Sequence, residues 1–295
     1  MIDWLMDPWQ LTFMQHAFLA IILVGVICGV TGVFVTLRGL AFLGDALTHA
    51  IFPGVVIAFI SGGNFLLGAL VAAVIVSFGI GAVSQSGRIS NDTAIGVLFV
   101  GAFALGIAML STQRSYTRDL NSFLLGSILG VSQEDLILMA IVGAVVLGIV
   151  FWFRRELTTV SFDRTFAKAS GLNLWFYDQL FLLILAFAIV ISLQTVGNIL
   201  VLAMLVTPAA TARMLTDRMA PMMAYSALIG AGSGIIGLYL SYYQGIPSGA
   251  GVVLVSTALF LLAFLFAPRA GVITSRIRGL IHRQHPERDL LYARD

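Results

Sequence analysis

Charged side chains are scarce in this sequence, and their scarcity decides the class of protein. Only 10% of the 295 residues are Asp, Glu, Lys or Arg, whereas 59% are hydrophobic. A soluble domain carries about 25% charged residues, so this chain lacks the side chains needed to cover a surface that faces water. The composition therefore predicts an integral membrane protein. The net charge of +2 gives no indication of a nucleic-acid partner.

Residues for redox and group-transfer chemistry are equally sparse. The one cysteine, Cys28, excludes an intramolecular disulfide and a cysteine metal cluster, and we expect it to be a small packing residue. The sequence has no glycine-rich phosphate loop ending in Lys and Ser or Thr, and no motif that pairs a nucleophile with a base. We therefore expect a chain that is not an enzyme and does not hydrolyse ATP itself. The N-terminal stretch MIDWLMDPWQ lacks a basic region, so we expect no cleaved signal peptide there.

The chain is rich instead in long apolar stretches. Nine of them approach the ~20 residues that a membrane-spanning helix needs, namely residues 17–37, 45–61, 65–85, 94–111, 134–153, 174–194, 196–213, 219–241 and 250–267. Two of the nine contain polar or helix-breaking residues, so eight full spans with one partial element fit as well as nine. We expect an all-α, polytopic transmembrane bundle over residues 1–268, followed by a basic tail over 269–295. The shorter apolar piece 123–131 predicts an interfacial or re-entrant helix.

The orientation in the membrane follows from the positions of Lys and Arg. Residues 154–171 carry four of these cations, and the tail after Phe266 carries six more. An even number of spans separates the two regions, so the positive-inside rule places both in the cytoplasm. Arg38 and Arg88 then also lie inside, whereas Arg114 and Arg118 lie outside as a minor violation. Nine spans would place the N-terminus outside and eight would place it inside.

Asp45 and His49 form a polar pair inside the second apolar stretch. They are four residues apart, so a helix would place both side chains on one face, within reach of a single cation. An Asp inside a membrane costs roughly 2.5–3.5 kcal/mol on insertion scales, which favours a functional role. Pro53 removes the amide hydrogen that would bond the His49 carbonyl. The alternative is a helix-capping Asp with a His hydrogen-bonded to a neighbouring helix.

The segment 161–171, SFDRTFAKASG, is an amphipathic loop that predicts a short helix. Phe162, Phe166 and Ala169 fall on one side, charged residues surround the other, and Gly171 ends the helix. Protruding aromatic residues suit docking into a groove on a partner. The alternative is a plain basic connector that lies on lipid headgroups.

A second interrupted helix is predicted in the seventh stretch, which contains Pro208. Loss of its amide hydrogen would free the Met204 carbonyl, and Thr207, Thr211 and Asn198 add polar atoms at membrane depth. Interrupted helices of this kind often line transport pathways, although a proline kink is also common without function. We expect a break at Pro208 that faces the same cavity as His49.

The remaining ionisable residues that stand out favour structural roles. His16 lies near the start of the first span and is expected at the interface. Asp178 is expected at the cytoplasmic entry of its helix. His282 and His285 have spacing that suits a metal, but Pro286 and the surrounding charge favour a solvated tail.

Several of these segments together resemble the membrane permeases of ABC importers for zinc, manganese or iron. The matching stretches are FVTLRGLAFLGDALTHAIFPGVVIAF, NDTAIGVLF, FLLGSILGVSQEDL, FDRTFAKASGL and VGNILVLAMLVTPAATARMLT. The resemblance implies a fold similar to the large-type (type II) ABC importer permease. It also implies a permease dimer, most simply a homodimer, with a cytoplasmic ATP-binding ABC ATPase subunit and an extracytoplasmic metal-binding protein. The lipid bilayer of the cell inner (plasma) membrane would surround it.

The resemblance also assigns roles to residues. Asp45 and His49 fall on the acidic and imidazole positions of the family's helix motif, which implies a metal pathway. Met204, Thr207 and Pro208 would add a carbonyl and polar atoms to it. The segment 161–171 falls on the family's coupling helix, whose ATPase-contacting residues would be Phe162, Asp163, Arg164, Phe166, Ala167, Lys168 and Gly171.

The sequence therefore predicts a permease subunit that passes Mn, Zn or Fe inward without a permanently bound cofactor. A transport site must release its ion, so two protein ligands with waters or carbonyls suit it better than a closed cage. The absence of thiolates argues against a dedicated Cu(I) path. Two alternatives remain open. One is a secondary transporter driven by an ion gradient, which would not need a docking helix. The other is an ABC permease for a metal chelate, which would not need a paired Asp and His.

Overall fold

A computed structural model describes residues 6–85, 89–112, 128–267 and 271–273, and within these ranges the regular elements are helical. The α-helices, numbered here along the chain, are α1 (Thr12–Arg38), α2 (Ala41–Ala50), α3 (Phe52–Ser61), α4 (Phe65–Gln85), α5 (Asn91–Ser111), α6 (Gln133–Trp152), α7 (Arg154–Phe162), α8 (Arg164–Ala169), α9 (Leu174–Val196), α10 (Asn198–Leu215), α11 (Met219–Gln244) and α12 (Ser248–Phe266). Short 3₁₀ turns cover Asp7–Gln10 and Ile128–Gly130.

The described ranges contain nine helical units that are long and apolar enough to cross a membrane. Helices α2 and α3 together form one of these units, and the others are α1, α4, α5, α6, α9, α10, α11 and α12. All nine predicted stretches have a counterpart among them. The expected all-α, polytopic bundle is therefore confirmed, and the interrupted second stretch counts as a full span.

Local capping determines where several helices begin and end. Ser132 and Asp135 form a capping box at the start of α6, in which the side chain of each accepts the backbone amide of the other. Gly39 caps the end of helix α1, and its φ of 69° lies in the left-handed region that glycine adopts without strain. This end leaves Arg38 at the last position of α1.

The centre of the bundle is formed by α1 and α9, which are the most buried spans. Helix α1 packs chiefly on α10 and α11, and α9 packs on α4. The α1–α11 contact depends on glycine, because a Cβ atom at Gly25 would lie 2.6 Å from the backbone nitrogen of Ala231. A Cβ atom at Gly230 would likewise lie 2.7 Å from the Gly25 carbonyl oxygen. Small residues of this kind let helices approach closely in lipid, where no hydrophobic force drives association.

The two prolines that were expected to interrupt helices behave differently. Helix α2 ends at Ala50, and Pro53 lies in the first turn of α3, where a missing amide hydrogen costs nothing. The predicted break at Pro208 is wrong, because α10 continues from Asn198 to Leu215 with Pro208 buried inside it. Packing on α1, α11 and α12 holds this helix together despite the lost hydrogen bond.

The segment 161–171 also differs in detail from the prediction of one short helix. Phe162 is the last residue of α7, and Asp163 interrupts the helix with extended backbone angles. The Asp163 side chain then accepts the Phe166 amide hydrogen and so caps α8. Gly171, with φ of 80°, ends the segment as expected. Arg88, residues 113–127 with Arg114 and Arg118, and most of the tail, including His282 and His285, lie outside the described residues.

Candidate functional site

The structure brings Asp45 and His49 together on one face of α2. Asp45 Oδ1 lies 3.6 Å from His49 Nε2, with side-chain exposures of 41% and 30%. Phe42, one turn before Asp45, is 87% exposed, so this face of α2 is open in the single chain. The turn at Ile51 follows directly and separates α2 from α3. A carboxylate and an imidazole are thus held next to an open face inside a membrane span.

The His49 ring is held between aromatic side chains and an amide. Phe99 and Phe103 of α5 lie with their ring centroids 5.8 and 5.3 Å from that of His49. On the other side, Asn198 Nδ2 lies 3.3 Å from His49 Nε2. Asn198 is the first residue of α10 and follows Gly197, whose φ of 81° is a glycine conformation. Three helices therefore determine where this imidazole points.

The other residues predicted for the pathway lie further along α10. Met204 is fully buried, and its sulfur accepts a 4.0 Å contact from the Ser233 hydroxyl of α11. Thr207 is half-buried, and its carbonyl oxygen accepts a hydrogen bond from the Thr211 hydroxyl. Pro208 is buried in the unbroken helix. A pathway role for Met204, Thr207 and Pro208 therefore stays a prediction.

The predicted coupling segment presents two aromatic side chains. Phe162 and Phe166 are 58% and 61% exposed, and Asp163, Arg164 and Lys168 are also exposed. Ala167, however, is fully buried inside the chain, so it cannot touch a partner directly. Its carbonyl oxygen instead accepts the Leu172 amide hydrogen, which closes the end of α8 after Gly171.

Asp178 of α9 links this segment to the membrane bundle, a role that the sequence analysis missed. Its Oδ1 lies 2.7 Å from Arg38 Nη1 of α1, and its Oδ2 lies 2.6 Å from Arg164 Nη2 of α8. Arg38, whose side chain is only 8% exposed, also donates to the Ser161 hydroxyl and stacks over Phe181. The only signal in the sequence was that the positive-inside rule predicts Arg38 and Arg164 on one side of the membrane, with Asp178 at the entry of its helix on that side.

A cavity of about 590 Å³ lies beside this ionic cluster, between α1, α4, α5, α7, α8 and α9. Its lining includes Arg38, Arg164, Lys168 and Asp178, but neither Asp45 nor His49. Among the described residues, no group of three His, Cys, Asp or Glu side chains is placed to hold a metal ion.

Comparison with known proteins places the chain in a family. Residues 10–267 match the model described as the ABC 3 transport family. The chain belongs to the ABC 3 transport family. Over 268 residues it is 46% identical to the manganese transport system membrane protein MntC of Halalkalibacterium halodurans, covering 91% of this chain and 92% of that protein. It is 35% identical over 267 residues to a Haemophilus influenzae protein named "Probable iron transport system membrane protein", covering 90% and 98% of the two chains.

A solved structure agrees with these relatives of the ABC 3 transport family. PsaBC from Streptococcus pneumoniae, in complex with Fab, superposes with a TM-score of 0.80 at 36% identity, covering 92% of this chain and 98% of that one. The resemblance inferred from the sequence motifs is therefore confirmed, and so is a multi-pass membrane fold of the ABC permease type.

Proposed function

We propose that this chain is the permease subunit of an ATP-driven importer and passes a divalent transition-metal ion inward along a path that includes Asp45 and His49. The observation that carries the proposal is the convergence of a carboxylate oxygen and an imidazole nitrogen on the open face of α2. Names of relatives refer to manganese and iron, and both ions accept mixed oxygen and nitrogen ligands. Manganese is the first ion to test.

The open face of α2 also supports a permease dimer. Phe42, Asp45 and His49 recur at positions i, i+3 and i+7, so they form one stripe along the helix. Ionisable groups are tolerated at membrane depth when they face protein or a water-filled cavity rather than lipid. A second copy of this chain on that face would enclose the stripe and place two Asp45–His49 pairs along a common path.

Energy would come from a separate ATPase subunit that docks on the cytoplasmic side. The exposed Phe162 and Phe166 side chains support this, because two aromatic rings projecting from a polar segment fit a groove on another protein. A transporter driven by an ion gradient would have no use for such a surface. An extracytoplasmic metal-binding protein would deliver the ion, as is expected for an ABC importer.

The test is metal uptake by the complex of this chain with its ATPase in proteoliposomes. His49→Ala removes one of the two paired groups, so radioactive Mn²⁺ uptake is expected to fall to background while assembly is unchanged. His16→Ala is the matched control, because His16 Nδ1 bonds the Val131 carbonyl away from the pair. Uptake by His49→Ala equal to that of the control, at matched incorporation, would contradict the proposal.

A further inference from the structure

We infer that Asn198 provides a third protein ligand of the cation site through its side-chain amide oxygen. This inference rests on the proposed function, because it takes Asp45 and His49 as the other two ligands. Asn198 belongs to α10, 149 residues beyond His49, yet the end of its side chain lies 3.3 Å from His49 Nε2. The same nitrogen lies 3.6 Å from Asp45 Oδ1, so both the carboxylate and the amide approach one imidazole nitrogen.

The spacing of these atoms fits the edges of a metal coordination shell. Ligand atoms about 2.1 Å from a first-row cation lie roughly 3.0 Å apart at right angles and about 3.4 Å apart in a tetrahedron. The separations of 3.3 and 3.6 Å that radiate from Nε2 are close to these values. Both separations from Nε2 are thus compatible with a shared cation.

The amide of Asn198 has an oxygen available for such a role. In the structure Nδ2 faces His49, and Oδ1 is buried with no hydrogen-bond partner. A half-turn about the last side-chain bond exchanges the two atoms and presents Oδ1 at the position that Nδ2 occupies. Without a bound ion, the amide nitrogen of Asn198 would donate a hydrogen bond to His49. With a cation bound, the side chain would be rotated and Oδ1 would contact the metal instead.

The backbone holds Asn198 in place for this purpose. Gly197 carries φ of 81° and ψ of 168°, a combination that is essentially restricted to glycine, and α10 starts at the next residue. Three protein donors of the type oxygen, oxygen and nitrogen leave the remaining coordination positions to water. That number suits an ion that must bind and then leave, and it favours Mn²⁺ or Fe²⁺ over ions that prefer thiolates.

The decisive experiment measures Mn²⁺ binding to the purified permease–ATPase complex without nucleotide, using the electron paramagnetic resonance signal of free Mn²⁺. Asn198→Leu keeps the size of the side chain and removes the oxygen, so the Kd and the uptake KM are expected to rise at least about tenfold. Asn198→Asp keeps an oxygen and should bind Mn²⁺ at least as tightly as the parent. Asn64→Ser, which retains a capping oxygen at an exposed position before α4, is the control.

Each outcome separates this inference from the proposed function. A Kd of Asn198→Leu for Mn²⁺ within twofold of the parent value would overturn the assignment of Asn198 as a third ligand. An equal loss of Mn²⁺ affinity in Asn198→Leu and Asn198→Asp would also overturn it, because the amide hydrogen and not an oxygen would then be the group that matters. Normal binding and uptake by His49→Ala would instead overturn the proposed function itself.

If Asn198→Leu does not assemble, Asn198→His decides the question, because an imidazole ligand should raise the preference for Zn²⁺ over Mn²⁺. An unchanged ratio of the two Kd values would then overturn the inference.

Discussion

The chemistry of the site depends on which nitrogen of His49 is free. Asn198 Nδ2 lies 3.3 Å from Nε2, and an amide nitrogen can only donate, so this hydrogen bond forms with the tautomer that carries its proton on Nδ1. A nitrogen with a free lone pair is the form that binds metal. That tautomer leaves the Nε2 lone pair available to the proposed cation, and the Phe99 and Phe103 rings pack against the imidazole and restrict its rotation.

Asp45 supplies the negative charge next to this nitrogen, which leads to a direct prediction. Asp45→Asn keeps the shape of the side chain and removes the charge, so Mn²⁺ uptake is expected to fall at least about tenfold, the loss that weaker metal ligation typically causes. Reconstituted complexes with matched protein content provide the measurement. Glu134→Gln, an exposed carboxylate in the first turn of α6, is the control. Uptake by Asp45→Asn at the level of this control would mean that the charge is not needed.

For individual residues, the sequence predicts contacts within one helix but not contacts between residues that are far apart in the chain. The i, i+4 spacing was sufficient to bring Asp45 and His49 onto one face, because helix geometry alone determines it. The approach of Asn198 to His49 depends on how α10 packs against α2 after the turn at Gly197. No pattern within either segment contains that information.

Among the helices, the two prolines show how tertiary packing overrides local signals. Pro53 begins a new helix after the turn at Ile51, where its fixed φ is favourable. Pro208 removes the same kind of hydrogen bond, yet α10 stays continuous because neighbouring helices surround it. A proline therefore predicts a missing hydrogen bond reliably, whereas a break also requires that nothing nearby holds the helix together.

The ionic cluster of Arg38, Arg164 and Asp178 connects α8 to α1 and α9 and is expected to transmit movement. Asp178→Asn would leave the buried Arg38 guanidinium without its carboxylate and would release Arg164 of α8. We expect metal uptake to fall at least about fivefold while the ATPase partner continues to hydrolyse ATP, because a coupling free energy of about 1 kcal/mol or more would be lost. Parallel assays of uptake and phosphate release measure the ratio of ion transported to ATP consumed.

Asp92→Asn is the control for this experiment, because Asp92 is an exposed carboxylate in the first turn of α5. An unchanged ratio in Asp178→Asn, with normal assembly, would show that the cluster holds the fold together but does not couple the two activities.

The exposed Phe166 is a suitable position for a cysteine that crosslinks to the ATPase. The buried Ala167, which the family resemblance had also assigned to the contact, is not.

In the described part of the molecule, the basic residues lie near the ends of the spans, whereas large exposed apolar side chains lie along their sides. Consecutive spans cross the membrane in opposite directions, so the nine candidate spans place all seven described Lys and Arg residues on one side of the membrane. These residues are Arg38, Arg154, Arg155, Arg164, Lys168, Arg213 and Arg218. Large exposed apolar side chains instead follow the flanks of the spans, as on α4 with Leu67, Val71, Ile75 and Phe78. Such flanks suit lipid or a second permease chain.

This distribution predicts the orientation of the protein, which single cysteines test. Cys28 is buried, so Cys28→Ala gives a cysteine-free background at small structural cost. In that background Asn64→Cys, before α4, should react with a membrane-impermeant maleimide in intact cells, and Ser170→Cys, after α8, should react only in inside-out vesicles. The positive-inside rule requires this, since Ser170 lies among the cations and Asn64 lies one span from Arg38. Labelling of Ser170→Cys from outside would reverse the orientation and, with it, the assignment of α8 to an ATPase contact.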